Sequence, residues 1–281
     1  GATDLSVAGL PTDPNTLVSL EHGNNLISYP FYGHASVEET IPADAQGSII
    51  CIMGEGESAM NTGNGWVGAL MELSGTEGYW FITSDTVSFT YNPPTEGGMA
   101  RQTRTKRIIP ESFTFAQSMQ QAFYFIDSAT IGGESLEEED LIIAYNGDVI
   151  VGSRYWYGET TDVPAMGADS DIIKTVGYAK SGDHITFKVL DASEDMLIDM
   201  DIEGNTAWQN YGMAIIQMSD RQLVPEAISF NNAYPNPFNP VTMISFGVPT
   251  EMEVQVVVHD MLGRVVTELA NGIYDQGYYE V

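Results

Sequence analysis

The chain has 281 residues, 43% of them apolar, and sets 10 lysines and arginines against 39 aspartates and glutamates for a net charge of −29. That balance argues against nucleic acid and anionic membrane surfaces as partners, and no apolar run reaches the length of a membrane span. The length allows two or three domains with cores of their own, and the single cysteine, Cys51, permits no intrachain disulfide.

Gly1, Ala2, Thr3 and Asp4 lack the basic and apolar regions of a signal peptide, so an exported protein of this sequence reads as its mature form. Short apolar or alternating runs at 24–31, 47–56, 63–73 and 77–92 are separated by glycine, asparagine and serine clusters. This pattern predicts an all-β domain over residues 1–95. YNPPTEGG at 91–98 then breaks the chain, and RQTRTKR at 101–107 gathers four of the ten basic residues. Residues 96–110 therefore read as a basic linker. Its Arg104, Lys106 and Arg107 suit either trypsin-like processing or pairing with acidic neighbours.

Residues 111–230 read as a second β-domain. DLIIAYNGDVIVGSRYWY at 140–157 predicts a hairpin turning at Asn146 and Gly147, where a tight turn needs positive φ. AFYFIDSATIGG precedes it, and TVGYAKSGDHITFKVLDAS, with a turn at Ser181, Gly182 and Asp183, follows. YGMAIIQMS closes the domain. Long helical periodicity is absent. The fold class is all-β, with tandem antiparallel β-sandwiches of Ig-like or jelly-roll-like type.

Catalytic patterns are thin. Ser58 in GESAM and Ser135 in GESLE lack the closing glycine of a nucleophile elbow. His22, His34, His184 and His259 are scattered without zinc-ligand spacing. Among 39 acids, paired carboxylates arise by chance. The chain is therefore expected not to be an enzyme and to carry no cofactor, with one candidate ion. DMDIEGN places Asp199, Asp201 and Glu203 at alternate positions before Gly204, an oxygen-rich turn of the kind calcium favours. Asn210 stands where an EF-hand needs glutamate, and no flanking helices are evident, so an acidic surface turn is the alternative. Trp66, Trp80, Trp156 and Trp208, with Tyr155 and Tyr157, either stack on the sugar rings of a glycan or fill sandwich cores.

The last part, residues 231–281, opens on a stiff collar. Pro235, Pro237 and Pro240 fix φ, remove amide donors and exclude both helix and central strand. Phe238 lies between Asn236 and Asn239 as an anchor. Thr242, Ile244, Phe246 and Val248 then alternate with Val241, Met243, Ser245 and Gly247, the period of a strand. After a turn at 249–251, Met252, Val254, Val256 and Val258 form one face of a second strand, with Glu253, Gln255 and His259 on the other. Leu262, Gly263 and Arg264 close a tight turn.

The collar Tyr234, Pro235, Asn236, Pro237 and Phe238, continued by Asn239 and Pro240, together with the turn Asp260, Gly263 and Arg264, resembles the C-terminal sorting domain of proteins exported by the bacterial type IX secretion system. Residues 25–28, 66–68 and 78–80 resemble accessory modules found upstream of such domains in secreted bacterial proteins. The resemblance implies an Ig-like β-module and the secretion machinery as a partner. It also implies residence on the outer-membrane surface or outside a Gram-negative bacterium. Such domains usually continue for a few more strands, so the module reads as incomplete, with GYYEV at 277–281 near an unpaired sheet edge. A second copy supplying a strand from a segment such as residues 1–10 would make a head-to-tail homopolymer. The functional expectation is a non-catalytic exported surface or extracellular protein, structural or adhesive, that self-assembles through β-strand contacts. A carbohydrate-binding protein and the accessory C-terminal region of a secreted hydrolase are the alternatives.

Overall fold

The computed structural model describes residues 13, 15–75, 77–94, 107–220, 227–230, 233, 242–260 and 262–281. They are nearly all β. In chain order the strands are β1 (Val18–Leu20), β2 (Gly23–Ser28), β3 (His34–Ser36), β4 (Ile49–Met53), β5 (Ser58–Asn61), β6 (Trp66–Gly68), β7 (Glu72–Ser74), β8 (Gly78–Thr83) and β9 (Val87–Phe89). There follow β10 (Gln121–Ile131), β11 (Glu134–Ser135), β12 (Leu141–Asn146), β13 (Val149–Tyr155), β14 (Thr161–Met166), β15 (Thr186–Asp191), β16 (Met196–Glu203) and β17 (Met213–Asp220). The last are β18 (Ser229–Phe230), β19 (Ser245–Val248), β20 (Met252–His259), β21 (Val265–Tyr274) and β22 (Gly277–Glu280). Two one-turn helices, α1 (Val37–Thr40) and α2 (Ala43–Gln46), lie between β3 and β4, where the sequence pattern shows no helical period. The chain divides into two compact units, Gly1–Asp220 and Arg221–Val281.

In the first unit, a five-stranded sheet runs β2-β8-β4-β5-β6. β4 is buried on both faces, which explains its unbroken apolar run IICIM. Ile49 and Ile52 enter a core with Leu20, Phe81 and Tyr91. Cys51 and Met53 join Ile82, Phe123 and Phe125 in a separate cluster. Phe123 and Phe125 belong to β10, so the two halves read from the sequence as successive domains are sealed together and form one compact unit.

The second half is a curled, half-barrel sheet in the order β11-β10-β17-β16-β15-β12-β13, with β14 on the other side of β10. β10 pairs antiparallel with β14 and parallel with β17, with a bulge between Ile126 and Ser128. The sheet wraps a core that includes Tyr124, Ile142, Val163, Phe187, Met200 and Trp208. Where β13 passes β14, a Cβ added at Gly152 would collide with the Pro164 carbonyl. A strand residue aims its amide and carbonyl to the same side, so the amide that proline lacks also faces β13. Pro164 thus suits this seam, which lacks a ladder between the two strands.

The second unit pairs β18, β19 and β22 in one sheet and β20 with β21 in a ribbon bulged after Val256 and Val258. Phe246, Val248, Val256 and Ala270 form its small core, with Tyr274 and Tyr279 against Phe246. The first strand is shorter than its alternation suggests: Met243 is exposed, and the ladder proper starts at Ser245. Residues 277–281 are themselves paired. β22 runs antiparallel to β19, and Ile244 and Val281 exchange backbone hydrogen bonds of 3.0 Å each. The free side of this segment is its outer side, since β22 ends the sheet among the described residues.

Candidate association site

Within the second unit a groove of about 320 Å³ is walled by residues 252–257 of β20, residues 228–230 around β18 and residues 246–248 of β19. Successive side chains of a strand point to opposite faces. A wall made of consecutive residues is therefore a strand's open edge rather than its face. The pairing agrees: among the described residues β20 pairs only with β21, and β18 only with β19. The floor is apolar, with Phe246 4% and Val248 1% exposed. The lip is apolar too, with Ile228 68% and Phe230 64% exposed. Glu253 is the one charged side chain among the lining residues. Val265, Val266 and Ile273 on β21 add further exposed apolar surface. Unpaired backbone beside apolar side chains is what an incoming strand needs for ladder and burial together.

The structure brings Asp260, Gly263 and Arg264 into a single turn between β20 and β21. The Asp260 carboxylate accepts the Leu262 and Arg264 amides at 2.9 Å each and Arg264 Nε at 2.7 Å. Gly263 donates its amide to the Asp260 carbonyl and takes a φ of 79°, a conformation glycine supplies at little cost. The Arg264 amide, the Arg264 side chain and the Leu262 amide hold the Asp260 carboxyl below its ordinary range. Tyr234, Pro235, Asn236, Pro237, Phe238, Asn239 and Pro240 lie outside the described residues, as do Arg104 and Lys106. Arg107 pairs with acidic neighbours. Its guanidinium donates to the Glu138 carbonyl and lies 3.3 Å from the Glu138 carboxylate.

Asp199, Asp201 and Glu203 occupy β16 rather than a turn. Their alternate spacing is the strand's own period, which puts them on one exposed face. Asp199 lies 3.0 Å from Lys188 on the neighbouring β15. No group of three or more histidine, cysteine, aspartate or glutamate side chains suited to a metal ion occurs among the described residues. Trp66, Trp156 and Trp208 are buried, and Trp80 packs on Tyr211 with ring centroids 4.6 Å apart. The Trp208 indole donates to the Ala165 carbonyl inside the second core. All four tryptophans thus pack into or against cores, and Tyr155 packs half-buried against another.

The main buried polar cluster centres on a residue that no sequence motif singled out. Asp162, on β14, is fully buried. One carboxylate oxygen accepts the Ser58 amide and hydroxyl at 3.0 and 3.1 Å, and the other accepts the Ala69 amide at 2.7 Å. Arg154 lies 3.1 Å away and also donates to the Gly56 and Asp162 carbonyls. Burial raises the Asp162 carboxyl, opposed by Arg154, Ser58 and Ala69. Ser58 is thus held as a donor. All four histidines are exposed, so none stands beside it as a base. Burial likewise pushes the Cys51 thiol well up, the condition of an inert cysteine. The signal available in the sequence was a lone acid inside the apolar strand TDVPAM. Among the described residues no helix is long and apolar enough to cross a membrane. No protein-family model, no curated protein and no solved structure matches this chain.

Proposed function

We propose that this is a non-catalytic exported protein of a bacterial surface or its surroundings, structural or adhesive in role, that works by association through β-strand contacts. The observation that carries the reading is the apolar groove along the open edge of β20, with Ile228 and Phe230 left exposed at its lip. Soluble chains usually cover or charge such edges, and an uncovered one is a pairing template. Export rests on the resemblance of residues 234–240 and of the Asp260, Gly263 and Arg264 turn to sorting domains. The bonds within that turn give each of its three named residues a physical reason to be there.

Deleting residues 232–281 tests the export half of this reading. The variant is expected to accumulate in the periplasm of a host that carries the secretion machinery. Surface display at the full-length level would contradict it.

A further inference from the structure

We propose that the groove beside β20 receives residues 5–10 of a second copy of this chain, laid in as an added strand. The proposal rests on the association reading above and names its site and its partner. Three observations select the occupant.

The first is length. Residues 252–257 line the groove, so the open edge offers six positions, about 20 Å of strand. The stretch LSVAGL at 5–10 is of the same length.

The second is charge. Copies with a net charge of −29 repel one another, and the groove already holds Glu253. The entering strand must therefore carry no acid. Residues 5–12 lie between Asp4 and Asp13 without a charged side chain.

The third is pattern. Leu5, Val7 and Gly9 fall on one face, and Ser6, Ala8 and Leu10 on the other. Leu5 and Val7 suit the floor of Phe246 and Val248, while Ser6, Ala8 and Leu10 face the open side, where the exposed Ile228 and Phe230 lip is itself apolar. Pro11 ends the stretch where a ladder can no longer continue. Residues 5–10 lie outside the described residues, as does another charge-free stretch, 234–241. The latter holds Pro235, Pro237 and Pro240 and cannot give a continuous row of amide donors. A donor from one unit and an acceptor in the other make a head-to-tail contact, which builds filaments when it does not close into a ring.

The test uses the full chain, a variant lacking residues 1–12, a Phe230→Glu variant and a synthetic peptide of residues 1–12. Phe230 is exposed, so its replacement leaves the core intact, and circular dichroism checks that both variants fold. The full chain is expected to associate in moderate salt, and the deletion variant to remain monomeric. The peptide is expected to bind the deletion variant and to bind at least about tenfold more weakly when Phe230→Glu is added. A peptide with Leu5→Asp and Val7→Asp is expected not to bind. If the full chain associates and deletion leaves that association unchanged, this inference is overturned while the association reading stands. If the peptide binds but the full chain is monomeric in every salt, exchange between copies is overturned. If the chain is monomeric and the peptide does not bind, both fall.

Discussion

Asp162 and Ser58, 104 positions apart in the chain, meet in a fully buried contact: one carboxylate oxygen of Asp162 takes both the amide and the hydroxyl of Ser58. The contact ties the five-stranded sheet of β5 to the curled sheet of β14. Arg154 then neutralises the carboxylate from β13. Replacing Asp162 by alanine leaves a buried guanidinium without its counter-charge and three donors without their acceptor. The expected loss of stability is about 3–5 kcal/mol. Replacing Arg154 and Asp162 together by methionine and asparagine is expected to cost less than the sum of the two single changes, because neither charge is then stranded. Denaturant titration of the four proteins reads this directly, and additive losses would contradict it.

Limited trypsin digestion is expected to cut first within residues 101–107, which hold four of the ten basic residues. Fragments of about 11 and 19 kDa should appear on a denaturing gel, at roughly 110 Da per residue. Because Cys51, Met53 and Ile82 pack with Phe123 and Phe125, the nicked protein should still elute as one species under native conditions. A first cut at Arg154 would contradict the burial of that residue.

Burial pushes the phenols of Tyr79, Tyr91 and Tyr124 well above their ordinary value. The folded state therefore prefers the neutral phenol, whereas an unfolded tyrosine ionises near pH 10. The stability this preference gives is complete below that pH and is lost as pH rises toward the folded value. Phenolate absorbance should show Tyr79, Tyr91 and Tyr124 ionising only together with loss of the near-ultraviolet dichroism signal. Ionisation of every tyrosine with the tertiary signal intact would contradict the packing of these rings.

The turn of Asp260 and Arg264 is local and exposed, so its loss should be felt locally. In Asp260→Ala the amides of Leu262 and Arg264 lose their acceptor, and their hydrogen exchange is expected to quicken while the β19–β22 ladder keeps its protection. The folded Asp260 carboxyl lies below its ordinary range, so its contribution is present above the ordinary carboxylate pKa and fades as pH falls through the lowered value. Unchanged exchange at both amides would contradict this geometry.

What the sequence disclosed depended on how local the cause was. The hairpin of β12 and β13 was legible because Gly147 takes a φ of 59° in the turn, although Asn146 serves instead as a donor to the Gly177 carbonyl and to Asp183. The alternation from Met252 to Val256 held until a bulge shifted the register at Val257. Pro164 argues against a strand over 161–166, and only the seam beside Gly152 explains the place of β14. The acids of β16 were read as a turn because a strand's outer face and an alternating ligand loop share a period of two. The groove was not legible: β18 contributes only Ser229 and Phe230, and their partner lies across the prolines in β19. Nor was the sealing of the two halves, which depends on which side of β4 and β10 each apolar residue takes.

We propose above that this chain works by associating with its own kind through strand edges. Sedimentation velocity of the purified chain over a range of protein and salt concentrations tests it most directly. Species that grow with protein concentration are expected. They should grow further as salt screens the net charge of −29, since the Debye length falls from about 30 Å at 0.01 M to about 3 Å at 1 M. A single monomeric boundary at every protein and salt concentration would contradict it.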